Sequence, residues 1–260
     1  MNNILDEIIA KRKQTVSQLK QIIPIEGWEM LPNFSKKTIS LKKILEEGST
    51  TGVIAEFKRA SPSKGAINSE ADVLDVTGDY ELYGAAALSV LTEPLFFKGN
   101  NDDLLNAAMI AGIPVLRKDF IFDKYQVTES KALGADVILL IAACLKPGEV
   151  KDLAIFAKQL KLEVLLEIHR EEELGHICDE IDFVGVNNRD LKTFTVDINR
   201  SIELSKKIPG DKIKITESGI DKPESIKIFK EAGFKGFLIG EKFMKEKNPG
   251  EAFRQFVKNL

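Results

Sequence analysis

The stretch Asp136–Ile168, "DVILLIAACLKPGEVKDLAIFAKQLKLEVLLEI", holds one complete repeat of the chain's organisation. An apolar run (Val137–Ile141) is followed by Pro147 and Gly148, then by apolar residues at three- and four-residue spacing, then by a second apolar run. That switch of period reads as strand, amphipathic helix, strand. The same rhythm recurs from Gly52 onward in "GVIAEF", "ALSVLT", "IPVLRK", "DVILLI", "EVLLEI", "DFVGVN", "KIKITE" and "GFLIGE". Between them lie segments with helical spacing. Two of these, "DDLLNAAMIAG" and "PESIKIFKEAG", end in the glycine that commonly stops a helix. Strands alternating with helices imply a parallel sheet. Eight such units suit a closed barrel of about 250 residues, with eight helices outside eight strands. The expected fold class is α/β, a single (β/α)8 TIM barrel. An open doubly wound sheet is the alternative, but it would carry GxGxxG after its first strand, and "EFKRASPSKG" (Glu56–Gly65) is not that loop.

The first 51 residues precede this pattern. Apolar residues at positions 4, 5, 8, 9, 16 and 19 form a helical stripe. "SLKKILEEG" reads as a second, short helix, with Ser40 as N-cap and Gly48 as stop. Residues 1–51 are thus a helical extension packed on a barrel of residues 52–260, one domain overall. The pattern gives equal weight to an extension that plugs the barrel's bottom and one that packs near its mouth.

The 260 residues carry a net charge of −3, which offers no basic face for nucleic acid. Cys144 and Cys178 belong to no CxxC or Cys/His cluster, so free thiols in a reducing compartment are expected and a zinc site is not. His169 and His176 are the only histidines, which leaves little for Ser-His-Asp chemistry. The N-terminus lacks a signal-peptide core. The apolar run Val137–Leu145 is far short of the roughly 20 residues a membrane helix needs. A soluble, cytoplasmic protein is expected.

Barrel strands are covered on both faces, so charge belongs at their ends, and the C-terminal rim is where barrel enzymes place their chemistry. Here strand 1 ends in Glu56 and Lys58, and strand 3 in Arg117, Lys118 and Asp119. Strand 5 ends in Glu167, strand 6 in Asn187, Asn188, Arg189 and Asp190, and strand 7 in Glu217 and Ser218. Glu56 and Lys58 are two apart and project to one side of their strand. A partly buried lysine beside glutamates is a candidate general acid; a structural ring of ion pairs is the bland alternative. "ESGI" and "IGEKF" place Gly219 and Gly240 after strands 7 and 8, the usual barrel phosphate site, with Lys58 or Ser63 to complete the cradle. Phe96, Phe97, Phe120 and Leu191 follow strand ends as candidate walls for a flat ligand, although core packing is the commoner fate of any one of them.

Together "AEFKRASPSKG", "VLTEPLFFKG", "VLRKDFI", "LLEIH", "GVNNRDL", "TESGI" and "LIGEKFM" resemble the ordered strand-end motifs of the indole-3-glycerol-phosphate synthase family. The resemblance covers the barrel and part of the extension. It implies a carbon–carbon lyase of tryptophan biosynthesis that needs no cofactor or metal. The implied substrate is 1-(2-carboxyphenylamino)-1-deoxyribulose 5-phosphate, which closes to indole-3-glycerol phosphate with loss of carbon dioxide and then water. Lys118 is the implied general acid for ring closure. Lys58 is the implied acid for dehydration, with Glu56 or Glu167 as base. Asn187 would hold a hydroxyl or orient Glu167, and Glu217 and Ser218 would line the same mouth, with Arg189 near the substrate. Gly219 and Gly240 would grip phosphate through their backbone. Glu241 stands where some relatives have serine, so its backbone N–H rather than its side chain would serve. Pro62, Phe97, Phe120, Leu191 and Ile239 would surround the anthranilate ring. The N-terminal aromatic of some relatives has no clear counterpart, since Trp28 lies too far along. A monomer with no nucleic-acid or membrane partner is expected, not fused to a second barrel. The competing readings are another phosphate-sugar barrel enzyme, such as a phosphoribosylanthranilate isomerase, and a non-catalytic phospholigand-binding barrel.

Overall fold

Side-chain alternation along the strands divides the molecule into an inner and an outer core. The structure, a computed structural model, describes residues 4–189 and 195–260. Eight strands form a closed, all-parallel barrel in chain order: β1 (Val53–Phe57), β2 (Ala87–Leu91), β3 (Val115–Lys118), β4 (Val137–Ile141), β5 (Glu163–Ile168), β6 (Phe183–Asn187), β7 (Ile213–Glu217) and β8 (Phe234–Ile239). Ile54, Leu116, Leu139, Leu165, Phe183, Ile215 and Leu238 point inward and fill the barrel. Their neighbours Val53, Ala55, Leu88, Leu140, Leu166 and Phe237 point outward against helices. Burial on both faces explains why the strands read as continuous apolar runs. The register sets the strand ends level: Leu91 lies opposite Lys118, Ile141 opposite Glu167, and Asn187 opposite Glu217.

Ahead of the barrel lie α1 (Ile4–Ile22), α2 (Ile25–Glu29) and α3 (Leu41–Glu47). Around it run α4 (Val73–Leu82), α5 (Asn101–Ile110), α6 (Lys124–Ala132), α7 (Pro147–Gln159), α8 (Ile198–Ser205), α9 (Pro223–Glu231), α10 (Glu241–Met244) and α11 (Pro249–Val257). Asp72, Asp123 and Asp197 cap their helices by accepting backbone N–H bonds, and Pro147, Pro223 and Pro249 occupy first-turn positions where a missing N–H costs nothing. One expected helix is absent. Between β5 and β6 the chain makes a 3-10 turn, Glu171–His176, because three successive glutamates and Gly175 give that short segment no apolar stripe to bury. Among the described residues, no helix is long and apolar enough to cross a membrane.

Two helices of the extension, α3 and α1, lie at opposite ends of the barrel. Ser40 caps α3 by accepting from Lys43 N at 3.1 Å, and Gly48 ends it in the left-handed region at φ 65°. Ile39 N donates to Asp136 before β4, and Leu41 N donates to Glu163 at the start of β5, at 2.8 Å each. With Leu41 and Leu45 in the inner core, α3 closes the bottom. At the opposite end, Ile4, Leu5 and Ile8 of α1 border the cavity at the C-terminal rim. Arg12 of α1 reaches Asp119, the residue after β3, through two bonds of 2.9 and 2.6 Å.

Candidate active site

A cavity of about 590 Å³ opens at the C-terminal rim. The pleat of each strand decides what enters it. Glu56, Lys118, Glu167, Asn187 and Glu217 all stand at inward positions and border the cavity, with Lys58 just beyond β1. Lys58 Nζ donates to Glu56 Oε1 at 2.8 Å. Lys118 Nζ lies 3.1 Å from Glu167 Oε2 and 3.2 Å from Glu217 Oε2. Asn187 Nδ2 donates to the other oxygen of Glu167 at 3.0 Å. The side chains read from five strand ends therefore meet in one place.

One ammonium serves two carboxylates, and they do not share it equally. Burial pushes both acids up. For Glu167, Lys118 and the Asn187 amide outweigh burial and hold the carboxyl below its ordinary range. Glu217 shares Lys118 but has no amide donor; burial and the charges of Glu167 and Glu56 prevail over Lys118 and push it up to about 8. Burial also works to neutralise Lys118, but Glu167, Glu217 and Glu56 more than offset it, so the amine stays protonated well above its usual range. The site thus favours an ammonium on Lys118, the ionised form of Glu167 and the protonated form of Glu217.

The outer rim is a second polar cluster. Arg189 Nη1 donates to Ser63 Oγ at 2.9 Å, and Nη2 lies 3.1 Å from Glu241 Oε2. Lys64 Nζ stands 3.9 Å from Glu241 Oε1. Ser218 and Gly219 are consecutive left-handed residues at φ 68° and 70°. Gly240 is required for a different reason: a Cβ there would sit 2.7 Å from Glu56 Oε1, so its absence lets Glu56 pass. Pro62, Ser63, Gly219, Gly240 and Glu241 all border the cavity. On the apolar side Phe97 and Phe120 face each other at 6.0 Å between ring centroids. Glu93 presents Phe97 by accepting from the backbone N–H groups of Leu95, Phe96 and Phe97 at 2.7–3.1 Å. Ile239 borders the cavity while belonging to the outer core. Phe96 lines a separate shallow groove instead. Leu191 lies outside the described residues.

Arg117 departs from the rim role expected of it, whereas Asp119 borders the cavity but is committed to ion pairs with the chain's own arginines. Arg117 is fully buried on the outer face of β3, bonded to Thr92, Gln126, Ser130, Asn101 and Asp119 and paired with Glu129. Asp119 is held by Arg12, Arg117 and Thr92. Burial would raise its carboxyl, but Arg12 and Arg117 hold it far below the usual carboxylate range. Three residues carry roles that the sequence alone does not assign. Asn188 is fully buried and donates to Thr216 Oγ1 at 3.0 Å and to the Ser218 carbonyl at 2.7 Å. His169 places Nε2 3.3 Å from Glu167 Oε1. Arg12 had no local signal, although its buried place on the α1 stripe could have marked it.

The family model "Indole-3-glycerol phosphate synthase" matches residues 5–256. The chain belongs to the indole-3-glycerol phosphate synthase family. It is 46% identical to the indole-3-glycerol phosphate synthase of Bacteroides thetaiotaomicron over 260 residues, all of both chains. It is 43% identical to that of Caldanaerobacter subterraneus, covering 99% of this chain and 98% of the other. Membership makes the protein a decarboxylating lyase of tryptophan biosynthesis that acts on a small phosphorylated substrate. Solved structures share its barrel. The tryptophan synthase α-subunit of Legionella pneumophila superposes with a TM-score of 0.59 at 14% identity, over 85% of this chain and 98% of that one. KGPDC from Streptococcus mutans gives 0.59 at 13%, over 80% and 95%. At those identities the likeness is one of fold alone. Nothing in these comparisons favours the isomerase or the non-catalytic reading.

Proposed function

We propose that the family reaction runs in the 590 Å³ cavity and that the residues converging there divide its work. The aromatic carbon bearing the substrate carboxylate attacks the ribulose carbonyl, and the ketone oxygen becomes an alkoxide. Lys118 is the acid that protonates it. Its neighbours hold its proton tightly, but an alkoxide is a stronger base than any amine, so transfer follows the developing charge. Carbon dioxide then leaves and the aromatic ring is restored. For the dehydration, Lys58 protonates the departing hydroxyl. Glu167, kept ionised by Lys118 and Asn187, is the better placed base, because Glu56 is committed to Lys58 at 2.8 Å. Glu217 carries a proton that can be returned to the cluster. Phe97, Phe120 and Pro62 wall the anthranilate ring together with Leu5 and Ile8, which border the same cavity. Gly219, Gly240, Ser63 and Arg189 receive the phosphate, with Ser218 beside them.

The observation that carries this reading is Lys118 Nζ between Glu167 and Glu217, at 3.1 and 3.2 Å in the cavity wall. A product assay by indole fluorescence tests it. Removing a proton-transfer group costs about 10²–10⁴-fold in rate, so Lys118→Ala should lose that much turnover with its fold intact. Near-normal turnover would remove Lys118 from the mechanism.

Two broader readings accompany this one. The extension and barrel act as one unit, supported by α1 side chains in the cavity wall and α3 beneath the barrel. The protein works as a monomer in the cytoplasm; the compartment is supported by two cysteines that are free thiols.

A further inference from the structure

Four cations that border the cavity already stand beside carboxylates of the chain itself. Lys118 faces Glu167 and Glu217, Lys58 faces Glu56, and Arg189 and Lys64 share Glu241. Three of these carboxylates are sealed in the wall. Glu56, Glu167 and Glu217 have side-chain exposures of 5%, 3% and 1%. Glu241 is different: it opens the short helix α10 at the mouth, and 31% of its side chain is exposed. It alone of the four can turn into water without moving the barrel.

Guanidinium recognises carboxylate and phosphate through the same fork of N–H donors. Arg189 uses that fork between Ser63 Oγ at 2.9 Å and Glu241 Oε2 at 3.1 Å, at the rim where Gly219 and Gly240 also lie. We propose that Glu241 is a displaceable stand-in for the substrate's phosphate: it holds Arg189 and Lys64 in the empty site and is exchanged for the phosphate when substrate binds. This rests on the reading of that rim as the phosphate site. Half-exposed ion pairs hold weakly, and a dianion with three acceptor oxygens displaces a single carboxylate. The exchange nevertheless taxes binding, since Arg189 must leave one anion to take another. Glu241 therefore sets how tightly phosphate is held, as a competitor and not as a ligand.

The test is the substitution Glu241→Gln, which keeps shape and removes charge. Substrate KM and the inhibition constant of inorganic phosphate should both fall about three- to tenfold. An analogue lacking the phosphate should bind both proteins alike. The gain should vanish when Arg189→Gln is added, because there is then no fork to release. An unchanged or raised KM in E241Q overturns the proposal, as does a gain that persists in the R189Q background. If inorganic phosphate fails to compete with substrate in the unaltered enzyme, and R189Q leaves KM unchanged, the phosphate site itself lies elsewhere and the underlying reading falls with the proposal.

Discussion

Arg117 and Lys118 are neighbours on β3, yet they live in opposite regimes. Arg117 points outward, where every arm of its guanidinium finds a partner: Thr92 at 3.0 Å, Ser130 at 3.1 Å, Asp119 at 3.1 Å and Glu129 at 2.7 Å. Lys118 points inward, one ammonium between two carboxylates, and neither oxygen of Glu217 has a hydrogen bond in good geometry. Arg117 is fully buried whereas 15% of the Lys118 side chain is exposed, and the outer cluster is the more completely bonded, although Glu129 Oε2 there also lacks a hydrogen bond in good geometry. A closed network resists change and serves stability; an open one retains a proton that can move and a group that a ligand can complete. One step of a β-strand separates the two functions.

Replacing Arg117 should produce the largest effect on stability. Breaking one side of a buried charge cluster costs about 3–5 kcal/mol, because the partners stay buried and uncompensated. Arg117→Met should lose that much in denaturant unfolding, while the cavity chemistry of whatever remains folded is preserved. A loss below about 1 kcal/mol would erase the contrast between the two faces of β3.

Glu217 sharpens the same comparison through pH. Its carboxyl is raised from an ordinary 4.5 to about 8. Between those values the folded chain binds a proton that the unfolded chain releases, so stability falls as pH rises through that window. For one proton the slope reaches ~1.4 kcal/mol per pH unit. Glu217→Gln cannot titrate and should flatten the curve between about pH 5 and pH 8. A wild-type stability that instead rises across that range, with the variant tracking it, would show that Glu217 ionises normally.

Much of this was legible before any coordinates, and the reason is geometric. Period-2 alternation alone puts Glu56, Glu167, Asn187 and Glu217 on inward positions, and chain order alone puts their strand ends on one rim. What lay beyond reach depended on partners distant in sequence. Arg12 meets Asp119 across 107 positions, and neither residue carries a local sign of the other. Gly240 reads as a turn residue, whereas the structure shows that it also clears space for Glu56. The extension could not be assigned to either end because an amphipathic stripe says only that one face is buried. In the event α1 went to the mouth and α3 to the floor. The 3-10 turn at Glu171–His176 was missed because the strand–helix rhythm was carried across a segment whose own apolar pattern does not support it.

Asn188 offers the finest cut between a satisfied and a strained region. Ser218 sits at φ 68°, a conformation that costs a residue with a Cβ roughly 1–2 kcal/mol. Asn188 holds it there through bonds to the residues on either side of Glu217: the Thr216 hydroxyl and the Ser218 carbonyl. The Asn188 backbone N–H adds a third bond, to the Glu217 carbonyl at 2.9 Å. Asn188→Ala keeps the backbone bond and removes the other two, so stability should fall by only about 1 kcal/mol. If strain at Ser218 is what the amide restrains, glycine at 218 should recover much of that loss, since glycine adopts the left-handed region freely. The N188A/S218G double variant should therefore be more stable than N188A alone, by thermal unfolding. No recovery would mean that Asn188 packs β6 against β7 without restraining the turn. The left-handed pair at Ser218 and Gly219 would then be held by the barrel itself.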